Sequence, residues 1–239
     1  MSENLFGKDP YLGEATARVT ALTPEGGVVL DRTLFYPAGG GQPGDSGWLE
    51  WPGGSMAVTS AEKGEGDDIV LLAAQAAVLP AIGSQVLMRL DWQRRQRHMR
   101  LHTALHLLSV VIPLPVTGGA ITAEKARLDF DMPEAPADKQ AIEDHLNALI
   151  SRALPVRQSW ISDAELAARP ELVKTMSVKP PTGAGQVRLI RIGTEEGQVD
   201  LQPCGGTHVA NTAEIGPVRL GKIEKKGRQN RRVNVFLVD

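Results

Sequence analysis

From about Glu14 to Leu90, apolar residues alternate with polar ones in short runs: ATARVTAL, GVVLDRTLFY, GWLEW, SMAVTSA, DIVLLA and SQVLMRL. Gly- and Pro-rich turns separate them, and segments so spaced predict the strands of a small β-barrel or sandwich. The densest turn cluster, PAGGGQPGDSG (Pro37–Gly47), reads first as a hairpin whose glycines supply positive backbone torsions. At Asp91 the period changes. This residue is the expected N-cap of DWQRRQRHMRLHTALHLLSVVI, a helix with Met99, Leu101, Leu105, Leu108 and Val111 among its apolar positions, stopped by Pro113 and Pro115. A loop containing Gly118 and Gly119 comes next, then ARLDFDM, which alternates like a strand. ADKQAIEDHLNALISRAL sets Ile142, Leu146, Leu149 and Ile150 at helical spacing, and Ser162 with Glu165 makes a capping-box pattern before a short helix ending near Pro170. QVRLIRI, QVDLQ, PVRLGKIEKK and RRVNVFLV read as strands around the loop PCGGTHVANTAEIG. The expected fold class is α+β: a small N-terminal β-barrel (residues 1–90), then an α+β domain (residues 91–239) whose long helix packs on an antiparallel sheet.

Composition sets bounds on this picture. Of the 239 residues, 42% are hydrophobic and 23% charged, which excludes the disordered and fibrous classes. The formal net charge of -2 conceals two basic stretches, residues 89–100 and 219–232, so an anionic partner is not excluded. Cys204 is the sole cysteine, which rules out an intramolecular disulfide, suits the reducing cytoplasm and leaves a thiol free for other work. MSENLFGKDPYLGEA lacks the apolar core of a signal peptide. The most apolar run, Ile69 to Leu79, is interrupted by Gln75 and ended by Pro80, too short to span a bilayer. A soluble cytoplasmic protein without a membrane partner is expected. Its oligomeric state is left open, a monomer being favoured.

The candidate chemistry lies in two pairs of residues. His102 and His106 stand four apart on the long helix, which puts both rings on one face about 6 Å apart along the axis. Cys204 and His208 close the segment CGGTH, where Gly205 and Gly206 let the loop turn tightly enough to present a thiolate and an imidazole together. Either pair alone is weak. Together they use three of the five histidines and the only cysteine, and such a mixed S/N set suits one zinc ion per chain. His98, one turn earlier, is expected to lie outside the ligand set, as an outer partner or an RNA contact. His145 is expected at the surface. Four protein ligands usually mark a closed structural site, and no HExxH pattern supplies a general base, so the ion either expands its coordination to activate water or anchors the substrate.

HTALHLL with the distant CGGTH resembles the editing domain of alanyl-tRNA synthetases and its relative in threonyl-tRNA synthetases. FYPAGGGQPGDSG upstream, VANTAEIG downstream and the closing RRV look like the stand-alone alanyl-tRNA editing proteins of medium length, over about Thr16 to Val238. This resemblance implies a β-barrel followed by an α+β editing domain. It also implies zinc on His102, His106, Cys204 and His208, and deacylation of mischarged tRNA(Ala), chiefly carrying serine and in some members glycine. The family's Gly-rich loop is associated with the editing pocket, which carries over to Gly39, Gly40, Gly41 and Gln42. Leu105 stands where the synthetase domain has Thr, and a residue near Val116 replaces a usual Gln, leaving the choice between serine and glycine open. Leu201-Gln202-Pro203 lacks the acid that often precedes the Cys motif in synthetases, so no acid-base role is carried to it.

An aminoacyl ester is already activated, so its hydrolysis needs a positioned water and a stabilised oxyanion. Rejecting alanine while admitting serine requires a polar contact to the serine hydroxyl. The side chains proposed for the reacting centre are Thr103, Thr207 and Gln42. Thr117, Gly118, Gly119, Gly205 and Gly206 join Gly39, Gly40 and Gly41 as substrate-binding candidates. Two basic runs are expected to neutralise RNA phosphates: Arg94, Arg95, Arg97 and Arg100, then Lys222, Lys225, Lys226, Arg228, Arg231 and Arg232. The rival readings are a non-catalytic RNA-binding module with structural zinc and a zinc hydrolase of unrelated esters.

Overall fold

The computed structural model describes residues 2–74, 77–176 and 185–238; Gln75, the expected break in the most apolar run, lies outside them. The chain divides into two compact units, Met1–Arg97 and His98–Asp239.

In the first unit, β1 (Glu3–Asn4) and α1 (Leu5–Lys8) precede β2 (Glu14–Leu22), β3 (Val28–Leu30), β4 (Arg32–Thr33), β5 (Gly47–Trp51), β6 (Gly54–Lys63), β7 (Ile69–Ala73) and β8 (Gln85–Leu90). Six of these strands close a barrel in the order β2-β3-β7-β6-β5-β8. Closure follows from the period-2 pattern: Ala17 and Val19, Met56 and Val58, Val86 and Met88 all point inward onto Leu30, Leu49 and Leu71. The hairpin expected in Pro37–Gly47 is present. Gly39 and Gln42 exchange both backbone hydrogen bonds at 3.0 Å, and the two central residues, Gly40 (φ 58) and Gly41 (φ 83), take the left-handed torsions that such a two-residue turn requires.

Helix α2 (Trp92–Val111) starts where Asp91 Oδ1 accepts the Arg94 amide at 3.1 Å, and the division between the units falls within it. The second unit continues with β9 (Val116–Ile121), β10 (Ala126–Asp131), α3 (Lys139–Ser151), β11 (Val156–Ser162), α4 (Asp163–Ala167), β12 (Gln186–Gly193), β13 (Gln198–Pro203), β14 (Val218–Leu220), β15 (Glu224–Lys225) and β16 (Asn230–Leu237). They form two antiparallel sheets, β14-β16-β10-β9 with β15 on β16, and β11-β12-β13. The α+β class and the barrel agree with the sequence. The Gly118–Gly119 segment does not: it is strand, pairing with Asp129 and Leu128 of β10, and a methyl at 119 would press on the Leu128 side chain at 3.1 Å. Strand β11 was also not foreseen.

Helix α3 lies on β14. Lys139, Glu143 and Asn147, successive residues of one helical face, bond the backbone of that edge strand. Lys139 donates to Leu220 O, Glu143 accepts from Leu220 N, and Asn147 bonds both backbone groups of Val218. The free edge of the sheet is thereby covered. Among the described residues, no helix is long and apolar enough to cross a membrane.

Candidate metal centre

Period 3.6 turns His102 and His106 of α2 toward the loop that leaves β13, and this loop carries Cys204 and His208. Cys204 Sγ lies 3.4 Å from His102 Nε2 and 3.3 Å from His208 Nε2, and one donor atom from each of the four residues falls within 4.8 Å of the others. The rings crowd one point: centroids are 4.3 Å apart for His102 and His208, and 4.6 Å for His106 and His208. The cluster could hold a metal ion.

The outward nitrogens are held from behind. His106 Nδ1 meets Asp200 Oδ2 at 3.0 Å, and His208 Nδ1 meets Thr103 Oγ1 at 3.2 Å, while the Thr103 hydroxyl donates to Met99 O at 2.9 Å. Both contacts place a ring proton on Nδ1, which turns Nε2 toward the cluster. Asp200 is fully buried on β13 and also accepts from Lys174 Nζ at 2.5 Å and Gln202 Nε2 at 2.8 Å. Ser109 Oγ closes this network, donating to His106 O and accepting from Lys174. Burial disfavours both charged forms, yet the hydrogen bonds outweigh it: His106 is raised to about 9 by Asp200 and Cys204, and Asp200 is lowered to about 2 by His106 and Lys174. Burial likewise opposes the Cys204 thiolate, but His102 and His208 hold this thiol well below its ordinary range. His208 is pushed down by burial and by His102, so its imidazole is neutral.

The loop is pinned by a residue that the sequence did not single out. Arg188 of β12 donates through Nη1 to Cys204 O at 3.1 Å and Gly206 O at 2.6 Å, and through Nε to Gln158. Neither Gly205 nor Gly206 has a positive φ, so this clamp rather than glycine torsion tightens CGGTH. Gly205 is exposed with open space where a side chain would stand.

Other expected positions fall as follows. Thr103 is buried and spent on Met99 and His208, so it orients the His208 ring and does not offer a free hydroxyl. Thr207 is buried beside His208 in sequence. Thr117 is half-buried and donates toward Asn230 Oδ1 at 2.8 Å. Gly118 is half-buried and Gly119 exposed. Gln42 is buried in the first unit, as part of the Gly39–Gln42 turn. His98 is fully buried and outside the cluster, which removes it as an RNA contact, and His145 is exposed.

The basic runs need correction. Arg95 is buried in an ion pair with Asp45 and also donates to Pro10 O and Leu34 O, so it is a core residue of the first unit. Arg231 is buried and bonds the carbonyls of Gly227, Asn230 and Pro133. Arg232 is fixed by Asp129, Arg94 by Gly44 O, and Arg100 by Ile215 O. Arg97 is half-buried; Lys225, Lys226 and Arg228 are exposed.

Comparison with known proteins now adds to this geometry. The family model "Threonyl and Alanyl tRNA synthetase second additional domain" matches residues 187–234, and "tRNA synthetases class II (A)" matches residues 11–94. Over 249 residues the chain is 36% identical to the alanyl-tRNA editing protein AlaX-M of Methanosarcina acetivorans, with 100% of both chains covered. The chain belongs to the AlaX-M family. The AlaX-M protein of Saccharolobus solfataricus is 35% identical, with 98% of each chain covered. AlaX-L of Pyrococcus horikoshii is 33% identical over 95% of this chain and 56% of its own. The first match of the two family models spans β12 to β16, the stretch that carries Asp200, Cys204 and His208 of this AlaX-M chain.

Proposed function

We propose that this AlaX-M protein is a trans-acting cytoplasmic editing hydrolase. It removes serine, with glycine as the second substrate to test, from wrongly charged tRNA(Ala) at one zinc ion held by His102, His106, Cys204 and His208. The observation that carries this reading is the convergence of those four donor atoms in a chain whose full-length relatives are named alanyl-tRNA editing proteins. Zinc fits the donor set: with Zn–N of about 2.0–2.1 Å and Zn–S of about 2.3 Å, a tetrahedral site keeps N and S ligands about 3.5 Å apart. The observed separations of 3.4 and 3.3 Å match.

When bound, zinc supplies Lewis acidity toward the ester carbonyl or toward water. The protein's own part is orientation. Asp200 and Thr103 fix the two imidazoles, Arg188 fixes the loop, and the exposed Gly205 leaves room for an incoming ester. Thr103 donates to Met99 O and accepts from His208 and Val209, whereas Thr117 donates toward Asp129 O and Asn230 Oδ1 and keeps its acceptor side, so Thr117 is the better candidate to accept from a serine hydroxyl. Its neighbour Val116 bridges Thr175, adjacent to the Lys174 that binds Asp200, which links the start of β9 to His106. Gly118 and Gly119 belong to the same strand and remain substrate-facing candidates; for Gly39, Gly40, Gly41 and Gln42 the resemblance is the support.

Incubation of the purified protein with Ser-, Gly- and Ala-tRNA(Ala) tests the function. Loss of the seryl ester well above the buffer rate, with Ala-tRNA(Ala) spared, is expected. Seryl loss no faster than buffer would leave the second reading, a structural zinc in an RNA-binding module, which the four-ligand set itself favours. A further prediction concerns the outer partner of His106. Asp200→Asn should weaken zinc about 10–100-fold in chelator competition, the usual cost of losing such a carboxylate. An unchanged zinc affinity would show that Asp200 does not orient the ligand.

A further inference from the structure

Lys139 at the start of α3 faces the turn after β14 across an open groove of about 400 Å³, lined by Ala135, Pro136, Lys139 and residues 219–223. Three of the lining residues are cations, Lys139, Arg219 and Lys222, and none is a carboxylate. Several basic residues elsewhere in this chain are paired with a carboxylate: Arg95 with Asp45, Lys174 with Asp200, Lys226 with Glu224, and Arg127 and Arg232 with Asp129. Among the described residues, none of the three groove cations forms an ion pair, and the carboxylate that reaches Leu220, that of Glu143, is engaged by the Leu220 amide at 2.7 Å. Lys139 Nζ donates to the Leu220 carbonyl at 3.0 Å, and the Arg219 guanidinium stacks 4.7 Å above the Phe236 ring. Arg219 and Lys222 are exposed. Like charges in one concavity repel one another until an anion fills it, and a spaced row of anions relieves more of that repulsion than a single one.

We propose that this groove binds the phosphate backbone of the tRNA substrate, a placement that rests on the editing function proposed above. It joins Lys222 of the second basic stretch to Lys139 and Arg219. It also accounts for how affinity for RNA survives the burial of Arg95 and Arg231. Binding here is electrostatic and independent of sequence, so it supplies affinity and leaves amino-acid selection to the metal site.

The test uses the full chain carrying Arg219→Gln with Lys222→Gln, both surface changes, and a triple variant adding Lys139→Gln. Fluorescence anisotropy with uncharged tRNA(Ala) should show Kd rising about tenfold or more near 0.1 M salt. The slope of log K against log salt should become shallower by about 0.7–0.9 for each phosphate that is no longer neutralised. KM for Ser-tRNA(Ala) should rise in parallel, whereas a seryl ester of adenosine, which has no phosphate to hold, should be cleaved equally by wild type and variants. An unchanged Kd and salt slope in the double variant, with a wild-type circular dichroism spectrum, would overturn the proposal. Should the wild type fail to deacylate anything, the anisotropy still decides: loss of tRNA binding in the variants upholds the groove and places the failure in the proposed reaction.

Discussion

Cys204→Ala is expected to strip the metal from the protein and reduce deacylation of Ser-tRNA(Ala) to the buffer rate. The Sγ atom lies within 3.4 Å of two imidazole nitrogens, and it is the one ligand that brings a negative charge into the cluster. Its thiol is held well below the ordinary range by His102 and His208, against the opposing effect of burial, so the thiolate is ready for an ion near neutral pH. Removing it leaves three imidazoles. The loss of affinity should exceed the roughly 100-fold upper range for an outer-shell partner such as Asp200. The fold should survive, because Arg188 holds the loop through the carbonyls of Cys204 and Gly206 rather than through the sulfur. Metal content by atomic emission, beside the deacylation rate, reads the result. Full metal content in the variant would remove the thiolate from the site, and metal loss with full activity would remove the ion from the reaction.

The convergence of the four residues of the candidate metal cluster was legible because each pair carries its geometry in its spacing: i and i+4 on a helix, and a Cys and His closing one short loop. The barrel was legible for a similar reason, since one buried face imposes alternation on β2, β5, β6 and β8. What failed to show depends on partners distant in the chain. Strand β9 hides behind Gly118 and Gly119, which pair with Asp129 and Leu128 of β10, and the lack of a side chain at Gly119 makes room for Leu128. Strand β11 lies at the edge of its sheet with few buried side chains, so its polar sequence gave no periodic signal. On β13 the alternation was visible but its sides were not. Leu201 packs into the apolar cluster with Leu166, Leu172, Val187 and Leu189, while Asp200 and Gln202 turn toward His106 and Ser109. An acid set between apolar residues four positions before a ligand cysteine was the available clue to Asp200. Basic runs misled in the opposite way, because a linear sequence does not say which arginines find an anion inside the fold.

Arg95 is the sharpest instance, and Arg95→Met is expected to destabilise the first unit by about 3–5 kcal/mol. The Arg95 and Asp45 side chains are 0% and 2% exposed. Nε reaches the carboxylate at 3.1 and 2.9 Å, while the two terminal nitrogens also satisfy the Pro10 and Leu34 carbonyls at 2.9 and 2.6 Å. Methionine keeps the unbranched stem of the side chain but removes the guanidinium and strands an anion in the core, and that uncompensated charge supplies most of the cost. The double variant with Asp45→Asn should recover much of the loss, since the amide oxygen can still accept from the Tyr36 amide that Asp45 now holds at 2.6 Å. Urea unfolding followed by tryptophan fluorescence reports this directly, because Trp48, Trp51 and Trp92 all lie in the first unit. A phosphate-binding arginine would give the reverse signature, a weaker and less salt-sensitive tRNA affinity with unchanged stability. If Arg95→Met left the urea midpoint in place, the ion pair would lose its structural role and the surface reading of this arginine would return.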